Sequence, residues 1–183
     1  MWEWVNRPAR SNDEFQRVFW RTLLLSLLYG LVAGAVLTAF GGLEKDFQIG
    51  IRILEFHEET PVLLVLAVLF LDYLLLIALE ELLFRVVPYK CALWINYGKP
   101  DKWFIGLFVL ISSVLFGFAH GGVDFIPLQG VLGAVFFLYF LKSGAIRGQV
   151  RRAFWSVYAL HLGYNAGVLM ALSFFASIAR IFS

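Results

Sequence analysis

Cysteine, proline and charged side chains are scarce in this chain of 183 residues. Its one cysteine, Cys91, excludes an internal disulfide and a four-cysteine metal site. Charged residues make up 15% of the chain and hydrophobic residues 61%, whereas soluble domains contain about 25% and about 45–50%. This composition excludes an ordinary soluble domain and makes the lipid bilayer the first expected partner. The net charge of +2 gives no indication of a nucleic-acid partner.

Long apolar runs take the place of the missing charges. A membrane-spanning helix needs about 20 mostly apolar residues, and five runs reach or approach that length. We predict an all-α fold, a polytopic transmembrane bundle of five or more helices around a polar cavity. Residues 1–183 then form a single membrane domain. The predicted spans are 22–40, 61–79, 103–119, 125–141 and 153–182.

The residues outside these runs predict how the chain sits in the membrane. Residues 1–21 combine tryptophan, phenylalanine and arginine, as interfacial segments do. The segments 1–21, 86–102 and 142–152 hold eleven Lys and Arg residues, whereas 43–60, 121–124 and the tail hold three. The positive-inside rule then places the N-terminus in the cytoplasm. We expect an integral, multi-pass protein of a prokaryotic plasma membrane, because the chain is compact and carries no retrieval signal.

The first predicted helix has small side chains at every fourth position: Ser26, Gly30, Gly34 and Thr38. This spacing lets the backbone of another helix approach closely. We expect this face to pack within the bundle rather than against a second copy of the chain. The acidic segment 43–60 that follows is expected to be an exposed loop or a surface helix.

Three charges, Glu80, Glu81 and Arg85, stand in apolar sequence directly after the second predicted span. A charged side chain at the bilayer centre costs about 2.5–3.5 kcal/mol on insertion scales, so it usually pairs, lines a wet cavity or takes part in chemistry. Glu81 and Arg85 are i,i+4 neighbours and can form an ion pair. Glu80 points about 100° away on the helix and is free to act as a base. The alternative is a helix end at which all three charges are solvated.

Two later motifs place histidines in apolar runs. His120 follows Phe116 by four residues at the end of the third predicted helix, and Asn165 follows His161 by four inside the last one. A single histidine at a helix end is more often a structural hydrogen-bonder than a catalyst. His161 and Asn165 share a helical face, where they can act as catalytic donors or as polar contacts between helices. Together with Glu80, these residues offer a base and oxyanion donors from three helices.

This ordered set of motifs resembles the CPBP family, the CAAX-protease and bacteriocin-processing (Abi-type) intramembrane endopeptidases. The family pattern is Glu-Glu-x-x-x-Arg, then Phe-x-x-x-His, then His-x-x-x-Asn or Asp, which stands here at 80–85, 116–120 and 161–165. The resemblance covers roughly 75–165, which would be the catalytic core. The chain departs from the family in its short length and in a longer stretch between Gly144 and His161.

The resemblance implies hydrolysis of a peptide bond in a membrane-anchored or transmembrane peptide substrate. Glu80 would activate water and His120 would position it, while His161 and Asn165 would bind the oxyanion. The supporting residues would be Glu81, Arg85 and Phe116. Zinc is an open alternative, because a glutamate and two histidines (Glu80, His120 and His161) are the ligand types of a catalytic zinc site.

Two other function classes fit the same residues. Some members of the family are linked to immunity, so a non-catalytic membrane binding or scaffold protein is one alternative. A proton-coupled transporter is the other, because intramembrane carboxylates and histidines can relay protons.

The depth of the residues sets a condition on any shared site. Simple end-to-end spans would place Glu80 and His120 near opposite faces of the membrane. A common site therefore requires either that the glutamate helix continues well past Arg85 or that the membrane topology differs from the one that the positive-inside rule predicts. We expect the longer helix, because 86–94 is largely apolar.

Overall fold

The computed structural model describes residues 2–7, 11–39 and 62–181, and within these ranges it contains helices and turns but no strand. The predicted all-α bundle is confirmed. The acidic segment 43–60 lies outside the described residues. The helices are α1 (Trp2–Asn6), α2 (Asn12–Ala39), α3 (Val62–Glu81), α4 (Val87–Ile95), α5 (Lys102–Ala119), α6 (Val131–Lys142) and α7 (Val150–Ile181).

Three stretches of the described chain are long and apolar enough to cross a membrane: Asn12–Val36, Lys102–Ala119 and Val123–Arg147. They correspond to the first, third and fourth predicted spans. Helices α3 and α7 occupy the other two predicted runs. The central element is α6, whose Phe137 and Phe140 side chains are completely buried.

Helix α2 begins at Asn12, before its apolar run and within the segment predicted to be interfacial. The Ser11 hydroxyl accepts a hydrogen bond from the backbone N–H of Glu14 at 3.2 Å. Ser-x-x-Glu is the sequence of a capping box, which favours a helix start at this point. Ahead of it, α1 packs against the bundle and buries Val5. The interfacial segment is therefore divided between α1 and the polar first turns of α2.

The small face of α2 packs inside the bundle, as predicted, at Ser26 and Gly30. Ser26 is buried, and a Cβ atom added to Gly30 would overlap the hydroxyl of Tyr164 on α7. The side chain of Thr38, the last member of the ladder, lies outside the described part of α2.

Helix α3 passes into α4 through a π-helical turn, Leu82–Val86, so the chain stays helical from Val62 to Ile95. The longer glutamate helix is therefore confirmed. A π turn shifts the backbone hydrogen bonds to i→i+5, here from the Val87 N–H to the Leu82 carbonyl. The Ser112 hydroxyl on α5 donates to the Phe84 carbonyl inside this turn. Helix α5 thus braces the wide turn that follows the two glutamates.

Helix α5 is capped at its start by Asp101, whose carboxylate accepts hydrogen bonds from the backbone N–H groups of Trp103 and Phe104 at 2.8 and 3.2 Å. Its C-cap is His120, and the chain leaves the helix there because Gly122 takes a φ of 83°, a left-handed conformation that favours glycine.

A second π-helical segment, Ile126–Gly130, follows α5 and folds back on it before α6 begins. A Cβ atom on Gly117 of α5 would lie 2.7 Å from the Cα of Ile126 and 2.9 Å from the backbone nitrogen of Gly130. The two backbones can approach this closely only because Gly117 has no side chain. From α2, the Tyr29 hydroxyl donates to the Pro127 carbonyl of the same segment.

The continuous helix also brings the polar residues to comparable depth. Glu80 lies fifteen residues before the end of α4, His120 eighteen residues after the start of α5, and His161 eleven residues after the start of α7. At 1.5 Å per residue these are distances of about 22, 27 and 16 Å from one end of the bundle. Glu80, His120 and His161, which are far apart in the sequence, therefore meet in the middle of the bundle.

Candidate active site

Glu80 lies between two histidines. Its Oε1 atom is 3.6 Å from Nε2 of His120, and its Oε2 atom is 3.7 Å from Nε2 of His161. The three side chains come from α3, the end of α5 and the middle of α7. The structure therefore brings together the carboxylate and both histidines that the sequence singles out.

Hydrogen bonds on the far side of each imidazole fix which nitrogen faces Glu80. Nδ1 of His120 lies 2.7 Å from the carbonyl oxygen of Phe116. A carbonyl can only accept, so Nδ1 of His120 carries the proton, and in the neutral ring Nε2 has a lone pair. Nδ1 of His161 lies 2.7 Å from Oε1 of Glu81, where it likewise donates to the carboxylate. Both Nε2 atoms are thus presented to Glu80.

Glu81 links His161 to Arg85. One carboxylate oxygen accepts from His161, and the other lies 3.4 Å from Nε of Arg85, with both Glu81 and Arg85 completely buried. The predicted i,i+4 ion pair is therefore present. Glu81 also contacts His161. This contact joins α3 to α7, so the local i,i+4 spacing does not predict it.

Phe116 fills the space between the arginine and the histidines. Its ring lies 4.5 Å from the guanidinium carbon of Arg85, and the centroid of the His120 ring is 4.2 Å from its own. A guanidinium over an aromatic face is stabilised by about 2 kcal/mol where water is excluded. The Arg85 Nη1 and Nη2 atoms have no hydrogen-bond partner among the described residues. The contact with the Phe116 ring therefore provides much of the stabilisation of the buried Arg85 guanidinium.

Asn165 is connected to the site by Tyr73, a residue that none of the three sequence motifs includes. Its side chain interacts with the hydroxyl of Tyr73 on α3, and Tyr73 also interacts electrostatically with Glu80. Tyr73 precedes Glu80 by seven residues, which is two helical turns on the same face. That spacing is the signal that could have identified it.

The ligand types at the site are those of zinc, and the separations of 3.6 and 3.7 Å are near those of neighbouring ligands on one tetrahedral ion. Yet within the described ranges no three His, Cys, Asp or Glu side chains already surround a common position for a metal ion. The geometry thus consists of a glutamate with two histidines oriented toward it.

The two glutamates differ in their access to solvent. The side chains of Glu80 and His120 are 17% and 26% exposed, whereas those of His161 and Glu81 are 5% and 0% exposed. A reactant can therefore reach Glu80 and the Nε2 atom of His120. Glu81 and Arg85 can act only through the residues that they contact.

The fold and the site together define an integral membrane helical bundle with a carboxylate–histidine cluster inside it. A profile of the family described as type II CAAX prenyl endopeptidase Rce1-like matches residues 61–167, which are 107 of the 183 residues. The chain belongs to this Rce1-like family of CAAX-type proteases. All seven residues of the three motifs fall inside the matched region. No curated protein matches the chain, and no solved structure matches it.

Proposed function

We propose that this protein is an intramembrane endopeptidase that hydrolyses a peptide bond of a membrane-associated substrate, with Glu80 as the base that activates water. The observation that carries the proposal is the orientation of both Nε2 atoms toward the two oxygens of one accessible carboxylate. A base that works on a bound substrate must be reachable and must have oriented neighbours.

In the first step, a water molecule bridges Glu80 and Nε2 of His120. Their separation of 3.6 Å is too long for a direct hydrogen bond and suits a water that contacts both groups. One water proton passes to Glu80 while the second is held by the Nε2 lone pair of His120. The water oxygen then forms a bond to the carbonyl carbon of the scissile peptide.

The carbonyl oxygen becomes an oxyanion in this step, and His161 and Asn165 are the proposed donors to it. Nδ1 of His161 already donates to Glu81, so Nε2 can donate to the oxyanion when both ring nitrogens carry a proton. The Asn165 amide adds a neutral donor, oriented by Tyr73. A single oxyanion donor typically contributes about 10²–10³ in kcat.

The intermediate collapses by breaking the carbon–nitrogen bond. Glu80 returns its proton to the leaving amine, so that the carboxylate is regenerated and the atoms balance to one water added across one peptide bond. The same residue thus serves as base and then as acid.

The substrate is proposed to be anchored in the membrane near its scissile bond, because the site lies within an apolar bundle that soluble peptides reach poorly. The chemical class is a prenylated CAAX tail, a leader peptide or the tail of a surface protein. These are separated by comparing a farnesylated peptide, the same peptide without its lipid, and transmembrane leader peptides as substrates.

The test uses the full-length protein in membranes with a matched control on the same helix. Glu80→Gln removes the proposed base and keeps the shape, whereas Asp72→Asn removes an exposed carboxylate elsewhere on α3. Products are mapped by mass spectrometry. We expect cleavage by the wild type and Asp72→Asn, and none by Glu80→Gln.

Equal processing by the wild type and Glu80→Gln would contradict the glutamate mechanism. Substrate binding by both proteins with cleavage by neither would favour a binding or scaffold protein. A proton flux across vesicles that requires Glu80, again without cleavage, would favour the transporter.

A further inference from the structure

A groove that the proposed reaction does not use lies between α2 and α6. Its volume is about 370 Å³, within the range of about 300–1,000 Å³ that small-ligand sites occupy. Its lining is almost wholly apolar and includes Leu25, Val135 and Leu138, with Trp4 and Tyr139 at one end. From Tyr139 to Val131 the groove follows α6 for eight residues, which is about 12 Å. A slot of this shape suits an alkyl chain.

The end of the groove at Trp4 and Tyr139 is surrounded by positive charge. The ammonium group of Lys142 lies 4.9 Å from the Trp4 ring and donates to the Trp4 carbonyl at 2.6 Å, and it also donates to the Arg7 carbonyl. Nη2 of Arg147 donates to the carbonyl of Lys142 at 3.2 Å.

A further cation approaches the same end through Phe15. The ring of Phe15 lies 6.4 Å from that of Tyr139, and the guanidinium of Arg152 lies 5.1 Å over Phe15. Glu14 interacts with Lys142 and offsets one of these charges. The side chains of Arg7, Arg147 and Arg152 remain exposed, so they can reach a negatively charged group outside the groove.

A polar atom within the groove has no partner. The side chain of Ser26 is 2% exposed and lines the groove, and its hydroxyl makes no hydrogen bond in the described part of the chain. A buried hydroxyl without an acceptor is unfavourable. The Ser26 hydroxyl is therefore a free donor, one to two helical turns from the charged end of the groove. A lipid whose headgroup lies at that end would place its ester carbonyl at about this depth.

We propose that this groove is a binding site for an anionic phospholipid. One acyl chain occupies the slot between α2 and α6, an ester carbonyl accepts from Ser26, and the phosphate lies at Arg7 and Arg147. Basic residues at a membrane surface each favour anionic lipid, and an apolar slot beside them fixes the chain as well as the headgroup. The lipid would hold α1 and the start of α2 against α6, where Lys142 already binds the end of α1.

The experiment measures lipid retention by the full-length protein, independently of any cleavage. The protein in neutral detergent is titrated with dioleoyl phosphatidylglycerol or dioleoyl phosphatidylcholine, and bound lipid is counted by native mass spectrometry. We expect phosphatidylglycerol to bind more tightly by roughly tenfold or more. Arg7→Gln with Arg147→Gln should abolish the preference, and Val135→Trp should reduce binding of both lipids by filling the slot.

The matched control is Lys99→Gln with Lys102→Gln, which removes two charges at the start of α5. Neither residue lines the groove, so the lipid preference should be unchanged. Equal binding of the two lipids by the wild type would overturn the proposal, as would an undiminished preference in the Arg7 and Arg147 double variant. Displacement of the bound lipid by a farnesylated peptide, but not by the unmodified peptide, would also overturn it and assign the groove to a substrate chain.

Discussion

Oε1 of Glu81 lies 2.7 Å from Nδ1 of His161, in a buried contact between residues 80 positions apart in the sequence. This bond gives the second glutamate of the Glu-Glu pair a task distinct from that of the first. Glu80 faces the reactants, whereas Glu81 orients the imidazole and pairs with Arg85. The two carboxylates are therefore expected to respond differently to the same substitution.

Glu81→Gln is expected to lower kcat by a factor between about 10² and 10⁴, because an oriented histidine loses the carboxylate that fixes its ring. KM should change little, since Glu81 is buried away from any substrate. The measurement is kcat and KM on a cleaved peptide in proteoliposomes. A normal kcat for Glu81→Gln would contradict the positioning role, and a rise confined to KM would point to substrate binding instead.

Arg85→Ala is expected to destabilise the protein by about 3–5 kcal/mol, because it leaves the buried Glu81 carboxylate without its ion-pair partner. The double variant Glu81→Leu with Arg85→Met should be less destabilised than Arg85→Ala alone, since it leaves neither charge unpaired. Thermal unfolding in a single detergent provides the comparison. An Arg85→Ala protein with the wild-type unfolding temperature and yield would refute the structural role of this pair.

Gly117→Ala should be destabilising by about 1–3 kcal/mol, because its Cβ would lie 2.7 Å from the backbone of Ile126 and would push the π-helical segment away from α5. Gly106→Ala is the matched control on the same helix, where nothing lies within 4 Å of the added Cβ. There the substitution should be neutral or should gain up to about 1 kcal/mol of helix propensity. Similar unfolding temperatures for the two variants would show that the close approach is not required.

Asn165→Ala is expected to lower kcat by about 10²–10³, as for loss of one oxyanion donor. Tyr73→Phe removes the hydroxyl that orients Asn165 but leaves the amide in place, so its loss should be smaller. Kinetics of the two single variants and of the double variant separate these effects. If Tyr73 acts through Asn165, Tyr73→Phe should have no further effect once Asn165 is gone.

The glutamate and zinc mechanisms differ in how the enzyme responds to removal of metal. With Glu80 as the base, cleavage should persist after treatment with a chelator and dialysis. Loss of cleavage on chelation and its return with zinc would instead assign Glu80, His120 and His161 as ligands of an ion that lowers the pKa of its bound water. Metal content of the purified protein, measured by mass spectrometry, should agree with whichever result is found.

The parts of this site that the sequence predicts are those governed by local periodicity. The i,i+4 spacing of Glu81 and Arg85 contains their ion pair, and the apolar stretch 86–94 predicts the long helix that brings Glu80 to the depth of His120. The orientation of one helix relative to another cannot be predicted from local spacing. The Glu81–His161 hydrogen bond and the interaction of Tyr73 with Asn165 both join α3 to α7, so they depend on packing at long range.

The π-helical turn Leu82–Val86 has a consequence for how this chain tolerates change in length. A π turn holds one residue more than an α-helical turn over nearly the same rotation, so closing it into regular α-helix without removing a residue would rotate everything upstream by about 100°. Glu80 would then turn away from His120 while every motif residue remained in the chain. A substitution that closes this turn into regular α-helix should therefore disrupt the cluster, whereas deleting one residue together with the π turn should leave the orientation of Glu80 nearly unchanged.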